Sequence, residues 1–372
     1  MRVLVDATAI PADRGGVGRY VDALLPEVAR AGVDVVVACQ ERDAAGFAET
    51  VPTAEIVAVR HRGRAARLAW EQVALPALQR STRPDVLHSP HYTLPAAGRT
   101  PVAVTLHDAT FFSHPDHHSA VKRQFFRRAI RVAARRADAV VVPSRATAEE
   151  VERYVGRPAG SVHVAPHGVD LERFRPQDPA VLARCAARLG LEGRPYVAFL
   201  GTLEPRKNVP ALVRGWVDAV HDLPEPPALV LAGGRGWDQG VDPAVAEVPG
   251  HLTVLRPGYL PLDDLAPFLG GAVVVAYPSV AEGFGLPVLE AMACGATVLT
   301  TRETSLPEVG GDAVAYCGTS AREIADALRA LLGDEARRAA LSADAVARAA
   351  TFTWERSARV HVAAYEAAAA RR

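Results

Sequence analysis

Val273-Val274-Val275-Ala276-Tyr277-Pro278 runs into Ser279-Val280-Ala281-Glu282-Gly283-Phe284-Gly285, and then into Leu286-Pro287-Val288-Leu289-Glu290-Ala291-Met292-Ala293-Cys294-Gly295. The first run is apolar without alternation, as in a strand covered on both faces of a parallel sheet. The glycines mark a loop. Proline near the first helical position and glycine after the last then bracket a helix. Strand, loop and helix in that order make the repeating unit of an α/β fold.

Working outward, the same unit recurs. In the first half the expected strands are Val3–Asp6, Asp34–Cys39, Asp85–His88, Val102–His107, Ala139–Val142 and Ser161–Ala165. In the second half they are Tyr196–Gly201, Ala228–Ala232, Leu252–Leu255, Ala272–Tyr277, Thr297–Thr300 and Ala313–Tyr316. One sheet of that width is unusual, so two doubly wound domains are the simpler arrangement. The chain's 372 residues fit two domains at roughly 150 residues each. Pro166, Gly168, Pro176 and Pro179 punctuate the boundary, giving domains 1–175 and 176–352. The last helix, about 353–372, follows two helices with no strand between and is expected to pack back onto the first domain.

Forty-two basic residues balance 42 acidic ones, so bulk charge points to no nucleic-acid partner. Cys39, Cys185, Cys294 and Cys317 are scattered, which predicts neither a disulfide framework nor a metal site and fits a cytoplasmic protein. No apolar run reaches the roughly 20 residues of a spanning helix.

The quoted stretch also carries chemistry. Glycines let backbone approach a ligand, and the helix start turns unpaired N–H groups and a positive dipole end toward it, which suits an anion. Glu282 in the loop and Glu290 one turn into the helix are placed to accept from hydroxyls flanking a diphosphate. In Gly201-Thr202-Leu203-Glu204-Pro205-Arg206-Lys207-Asn208, Arg206 can clamp a phosphate and Lys207 add a point charge at a strand end. Gly15-Gly16-Val17-Gly18-Arg19-Tyr20 opens a helix but lacks the dinucleotide fingerprint, because Val21 stands where the last glycine belongs. No P-loop string occurs. His107-Asp108 closes a strand at the carboxyl edge, where doubly wound folds hold ligands. His88 and His91 either line an acceptor pocket or make internal polar contacts.

Glu282 to Glu290, followed by Ala291-Met292-Ala293-Cys294-Gly295, closely resembles the E-x7-E donor signature of retaining glycosyltransferases of family 4. The resemblance implies the GT-B fold, two facing Rossmann-like doubly wound domains with an interdomain cleft. It assigns Glu282, Gly283, Phe284, Gly285, Leu286 and Glu290 to the donor, Glu282 to sugar hydroxyls and Glu290 to the ribose. It likewise assigns Gly201, Arg206 and Lys207 to the diphosphate. Gly15 and Gly16 resemble the loop that approaches the donor phosphates, and Tyr259 lies in a segment resembling the nucleobase loop. His107 matches a histidine near the donor sugar, and Asp108, His88 and His91 fall on the acceptor side. No metal or other cofactor is implied.

His107 to Phe112, with His114-Pro115, resembles bacterial mannosyltransferases of surface polysaccharides, which favours GDP-mannose over UDP-glucose or UDP-N-acetylglucosamine. The implied reaction is retaining hexosyl transfer to a hydroxyl acceptor. A sugar-nucleotide epimerase of the same fold is the alternative. The helix across 122–136 gathers Arg123, Arg127, Arg128, Arg131 and Arg135 on one face. That face is either a peripheral contact with the inner membrane surface or simply solvated.

Overall fold

The computed structural model describes residues 1–12, 14–191 and 193–371. They divide into two compact units, Met1–Gly168 with Thr353–Arg372, and Val169–Phe352. The border therefore falls at Gly168/Val169, ahead of the 175/176 expected.

In the first unit β1 (Arg2–Asp6), β2 (Asp34–Gln40), β3 (Glu55–Val59), β4 (Val86–Ser89), β5 (Val102–Thr105), β6 (Ala139–Val142) and β7 (Ser161–Val164) form one parallel sheet. Its order is β3-β2-β1-β4-β5-β6-β7. The connecting helices are α1 (Gly15–Arg30), α2 (Glu41–Thr50), α3 (Gly63–Thr82), α4 (Thr110–Ser113), α5 (Ala120–Arg136) and α6 (Arg145–Val155). Along β1, Val3 and Val5 pack into one apolar cluster and Leu4 into another, so both faces are covered.

The second unit holds β8 (Tyr196–Leu200), β9 (Ala228–Ala232), β10 (Val254–Gly258), β11 (Val274–Tyr277), β12 (Val298–Thr301) and β13 (Ala315–Cys317), ordered β10-β9-β8-β11-β12-β13 and all parallel. Its helices are α7 (Pro179–Arg188), α8 (Val209–Val220), α9 (Val241–Ala246), α10 (Leu262–Gly270), α11 (Leu286–Ala293), α12 (Leu306–Gly310), α13 (Ala321–Leu332) and α14 (Glu335–Ala349). Helix α13 starts on a capping box, with Ser320 and Glu323 each bonding the other's backbone N–H. Gly215 lets α8 come close to it, since a Cβ there would lie 2.6 Å from the Ala321 carbonyl oxygen.

The chain then returns to the first unit as α15 (Trp354–Ala369), which buries Ala358, Ala364, Tyr365 and Ala368 in the cluster beneath β1. Arg372, the last residue of the expected helix, lies outside the described residues. At the crossing a Cβ on Gly168 would sit 2.2 Å from the Trp354 nitrogen, and the His167 and Trp354 rings stack at 5.6 Å.

Two sequence readings need correction. The first sheet has seven strands, because Glu55–Val59 adds an edge strand that the pattern did not single out. The strand expected to reach His107 ends at Thr105, which leaves His107 in the loop beyond.

Candidate active site

In each sheet the strand order reverses once, between β1 and β4 and between β8 and β11. Diverging loops open a crevice at such a point, beyond the carboxyl ends of the strands. In the second unit β8 leads into a 3₁₀ turn at Pro205–Lys207, and β11 leads into the loop that ends at α11. The loops are tied together: Val280 N–H donates to the Arg206 carbonyl at 2.8 Å, and Ser279 Oγ lies 2.9 Å from the same oxygen.

Glu282 is the centre of this junction and is 7% exposed. Its Oε1 accepts from Lys207 Nζ at 2.5 Å, Ser279 Oγ at 2.7 Å and the Tyr277 hydroxyl at 2.9 Å. Its Oε2 pairs with Arg206 at 2.6 Å. Lys207 Nζ also donates to the Tyr277 hydroxyl. Arg206 further bonds Glu204 at 2.8 Å and the Ala281 carbonyl at 3.1 Å. Burial alone would push the Glu282 carboxyl up, but Arg206 and Lys207 outweigh it and hold it at about 2. Lys207 is lowered to about 8, first by burial and then by the neighbouring Arg206 charge, against the pull of Glu282. Burial, reinforced by Glu282, holds the Tyr277 phenol well above its usual range.

The Glu282 carboxylate thus engages four protein groups, three on Oε1 and one, Arg206, on Oε2. Tyr277 and Ser279, which the sequence reading did not select, complete the set.

Helix α11 starts at Gly285, whose φ of +104° belongs to glycine. A Cβ there would also lie 2.8 Å from Leu306 Cδ2. Ser305 Oγ lies 2.9 Å from the carbonyls of both Glu282 and Phe284, fixing the Gly283–Phe284 backbone. Glu290 is 4% exposed inside α11, Phe284 is buried and Leu286 half-buried. Gly201 and Gly233 bring the β8 and β9 loops together: a Cβ on Gly233 would meet the Gly201 carbonyl at 2.2 Å.

Beyond β8, β9 and β10 lies a cavity of about 370 Å³ lined by Leu203, Leu231, Gly233, Arg235, Asp242, Arg256 and Gly258. Asp242 pairs with Arg256 at 2.6 Å and Arg235 at 3.3 Å, and these cations, Arg256 foremost, lower its carboxyl. Tyr259 is exposed next to this cavity's Gly258. Nothing in the sequence marked Arg235 or Asp242.

In the first unit Gly15 and Gly16 are exposed at the start of α1, and a Cβ on either would meet open space. Half-buried His107 has Nε2 2.7 Å from the Pro90 carbonyl. A carbonyl only accepts, so Nε2 carries the proton and Nδ1 is left as an acceptor. Burial lowers the ring, keeping it neutral near pH 7. Asp108 Oδ1 takes Thr110 N at 3.0 Å and Thr110 Oγ1 at 2.7 Å, fixing the start of α4. His91 is half-buried against Tyr92 and Phe126 and pushed down to about 3, chiefly by burial.

His88 makes the internal polar contacts. It is fully buried, with Nε2 on Thr105 Oγ1 at 2.9 Å and Nδ1 on the Tyr365 hydroxyl at 3.0 Å. On the basic face of α5, Arg128, Arg131 and Arg135 are exposed and Arg123 and Arg127 half-buried. Arg127 donates to the Phe111 carbonyl at 2.7 Å, Arg123 to Pro115 at 3.3 Å, and Arg131 lies over Phe112 at 5.0 Å. No helix among the described residues is long and apolar enough to cross a membrane, and no group of three His, Cys, Asp or Glu there could hold a metal.

Two doubly wound parallel sheets, one with a buried Arg–Lys–Glu junction at its switch point, define a glycosyltransferase of the GT-B class. Residues 14–173 match the Glycosyltransferase Family 4 model and residues 194–334 the Glycosyl transferases group 1 model. The chain is 30% identical over 289 residues to the O-antigen chain mannosyltransferase B of Escherichia coli, covering 76% of this chain and 74% of that one. It is 28% identical to the GDP-mannose-dependent alpha-(1-6)-phosphatidylinositol monomannoside mannosyltransferase of Mycolicibacterium smegmatis, over 91% of each. Several D-inositol 3-phosphate glycosyltransferases align over only 50–58% of their own length. Among solved structures, Anabaena HepE in complex with UDP and glucose superposes with a TM-score of 0.76 at 19% identity, covering 98% of both chains. The chain belongs to the family 4 glycosyltransferases.

Proposed function

We propose that this enzyme moves a hexose, in our reading mannose from GDP-mannose, onto a hydroxyl acceptor with retention of the anomeric configuration. The observation that carries the reading is the buried Arg206–Glu282–Lys207 junction at the β8/β11 switch point. A leaving nucleoside diphosphate gains negative charge as the bond from C1 to the phosphate oxygen breaks. Two preorganised cations in a dry site favour that charge without reorganisation. The α11 backbone start adds N–H groups, and the acceptor's proton passes to the departing phosphate oxygen as its own oxygen bonds C1. Glu290 is assigned to the ribose and the cavity beside Gly258 to the base. On the first unit, the His107 Nδ1 lone pair is assigned to a substrate hydroxyl.

Mannose is supported by the names of two relatives, and transfer of glucose from UDP-glucose by the ligands of HepE. Since Arg206 and Lys207 carry the charge a divalent cation would otherwise supply, transfer is expected to persist in EDTA. For peripheral membrane contact the support is Val121, 81% exposed, and Phe125, 38% exposed, on α5.

Thermal-shift screening with GDP- and UDP-sugars, followed by NMR of the product anomer, tests the assignment, because a ligand that binds only the folded state raises its midpoint. GDP-mannose should stabilise most and the product should keep the donor's anomeric configuration. A new sugar nucleotide formed without any acceptor would instead establish the epimerase.

A further inference from the structure

At the amino edge of the first sheet, opposite the carboxyl edge that carries His107, a cavity of about 260 Å³ opens beside the ends of α3, α5 and α15. Gln79, Arg99, Arg136, Asp138 and Arg371 are among its lining residues. A rise of about 3.3 Å per residue along β5 puts it roughly 20 Å from His107.

Gln79 is 5% exposed, and neither its amide nitrogen nor its oxygen has a hydrogen-bond partner among the described residues. Buried amides are ordinarily bonded, because two donors and two lone pairs lose their water on folding. The adjoining loop is built around this group: a Cβ on Gly98, which has a φ of +145°, would stand 2.9 Å from Gln79 Oε1.

The surrounding charge is lopsided. Asp138 Oδ2 is committed to Val102 N–H at 2.8 Å, and its Oδ1 is 4.0 Å from Arg371 Nε. Arg136 spends one guanidinium nitrogen on the Ala96 carbonyl at 2.6 Å. Arg99 is exposed and bonds to no described residue. Three guanidinium groups thus face one carboxylate, and guanidinium forks match the oxygens of a phosphate. The volume is below the usual range for drug-sized ligands, so it suits a small phosphorylated molecule more than a nucleotide.

We propose that this cavity binds a small phosphate-bearing anion, with the Gln79 amide on its floor and Arg99, Arg136 and Arg371 at its rim. The bound anion draws the last residues of α15 toward α3 and α5, so it fastens the returning helix to the sheet.

Inorganic phosphate is the probe, titrated calorimetrically into the full chain and into Gln79→Met, Arg99→Ala and Lys207→Ala. Wild type should bind one phosphate saturably. Gln79→Met and Arg99→Ala should each bind at least tenfold more weakly, while Lys207→Ala binds as wild type does. Methionine keeps the length and removes the unanswered polar atoms, so the unliganded thermal midpoint of Gln79→Met should equal or exceed that of wild type. A lower midpoint with unchanged phosphate affinity would show the amide to be structural and overturn the proposal. Loss of binding in Lys207→Ala alone would place the phosphate in the donor site and overturn it equally, as would no saturable binding in wild type. Arg99→Ala, an exposed change, keeps the test decisive if Gln79→Met does not fold.

Discussion

Lys207 holds its charge beside Glu282 with its ammonium lowered to about 8. If the donor diphosphate needs that charge, donor binding is complete well below pH 8 and weakens as pH rises through it. The donor KM should therefore climb between about pH 7.5 and 9, and Lys207→Arg, which stays charged there, should flatten the climb. Lys207→Ala should lower kcat/KM by about 10²–10³-fold, the usual size of a lost electrostatic contact to a developing charge. Tyr277→Phe removes the hydroxyl between Lys207 and Glu282 and leaves buried polar atoms short of a partner. It should cost about 1–3 kcal/mol of stability with a smaller loss of kcat/KM, read by thermal melts and initial rates. Arg206, Lys207 and Glu282 could be named from the sequence because each sits in a short string at a strand end. Their mutual engagement could not, since it depends on loops more than 70 residues apart folding against each other.

Elements, by contrast, were mostly legible, because unalternating Val-rich runs and glycine or proline punctuation are local signals. Twelve strands followed from them. Glu55–Val59 escaped because only Val59 is buried on that edge, so its residues need no core pattern. On α5 the helical period places the arginines on one side, but it does not show the Phe111 and Pro115 carbonyls that Arg127 and Arg123 bond or the Phe112 ring beside Arg131. The α11 start was legible from its glycines and Pro287, and its geometry makes Gly285 sensitive. Ala there would have to adopt a φ of +104° and meet Leu306. Gly285→Ala should therefore destabilise the second unit by about 1–3 kcal/mol. Chemical denaturation should show this as a lower midpoint at an unchanged denaturant slope.

For the molecule as a whole, the decisive step is the return of α15 to the first sheet, and buried polar groups specify that return as much as apolar ones. His361 Nδ1 lies 2.8 Å from the Ser357 carbonyl, which can only accept, so Nδ1 carries the proton and Nε2 accepts from Tyr20 at 2.7 Å. Tyr20 must then accept from Thr105 at 3.0 Å, Thr105 from His88 at 2.9 Å, and His88 from Tyr365 at 3.0 Å. The chain of donors has one direction and requires both histidines to be neutral. The sequence left His88 open between an acceptor pocket and internal polar contacts, because its partner Tyr365 on α15 lies 277 residues away. Burial lowers His361 to about 4 and His88 well below its usual value. An unfolded chain takes up those protons near pH 6.5, ahead of the folded one, so the unfolded state binds more protons between about 6.5 and 4. Stability from these groups is therefore complete above pH 6.5 and is lost as pH falls toward 4. Thermal midpoints measured from pH 7.5 to 4.5 should decline across that window in wild type. In His361→Gln, which removes one of the network's two rings while buried His91, His107 and His167 still contribute, the decline should be shallower from a lower starting midpoint. A decline of equal slope in both would mean that this network does not set the acid sensitivity of the fold.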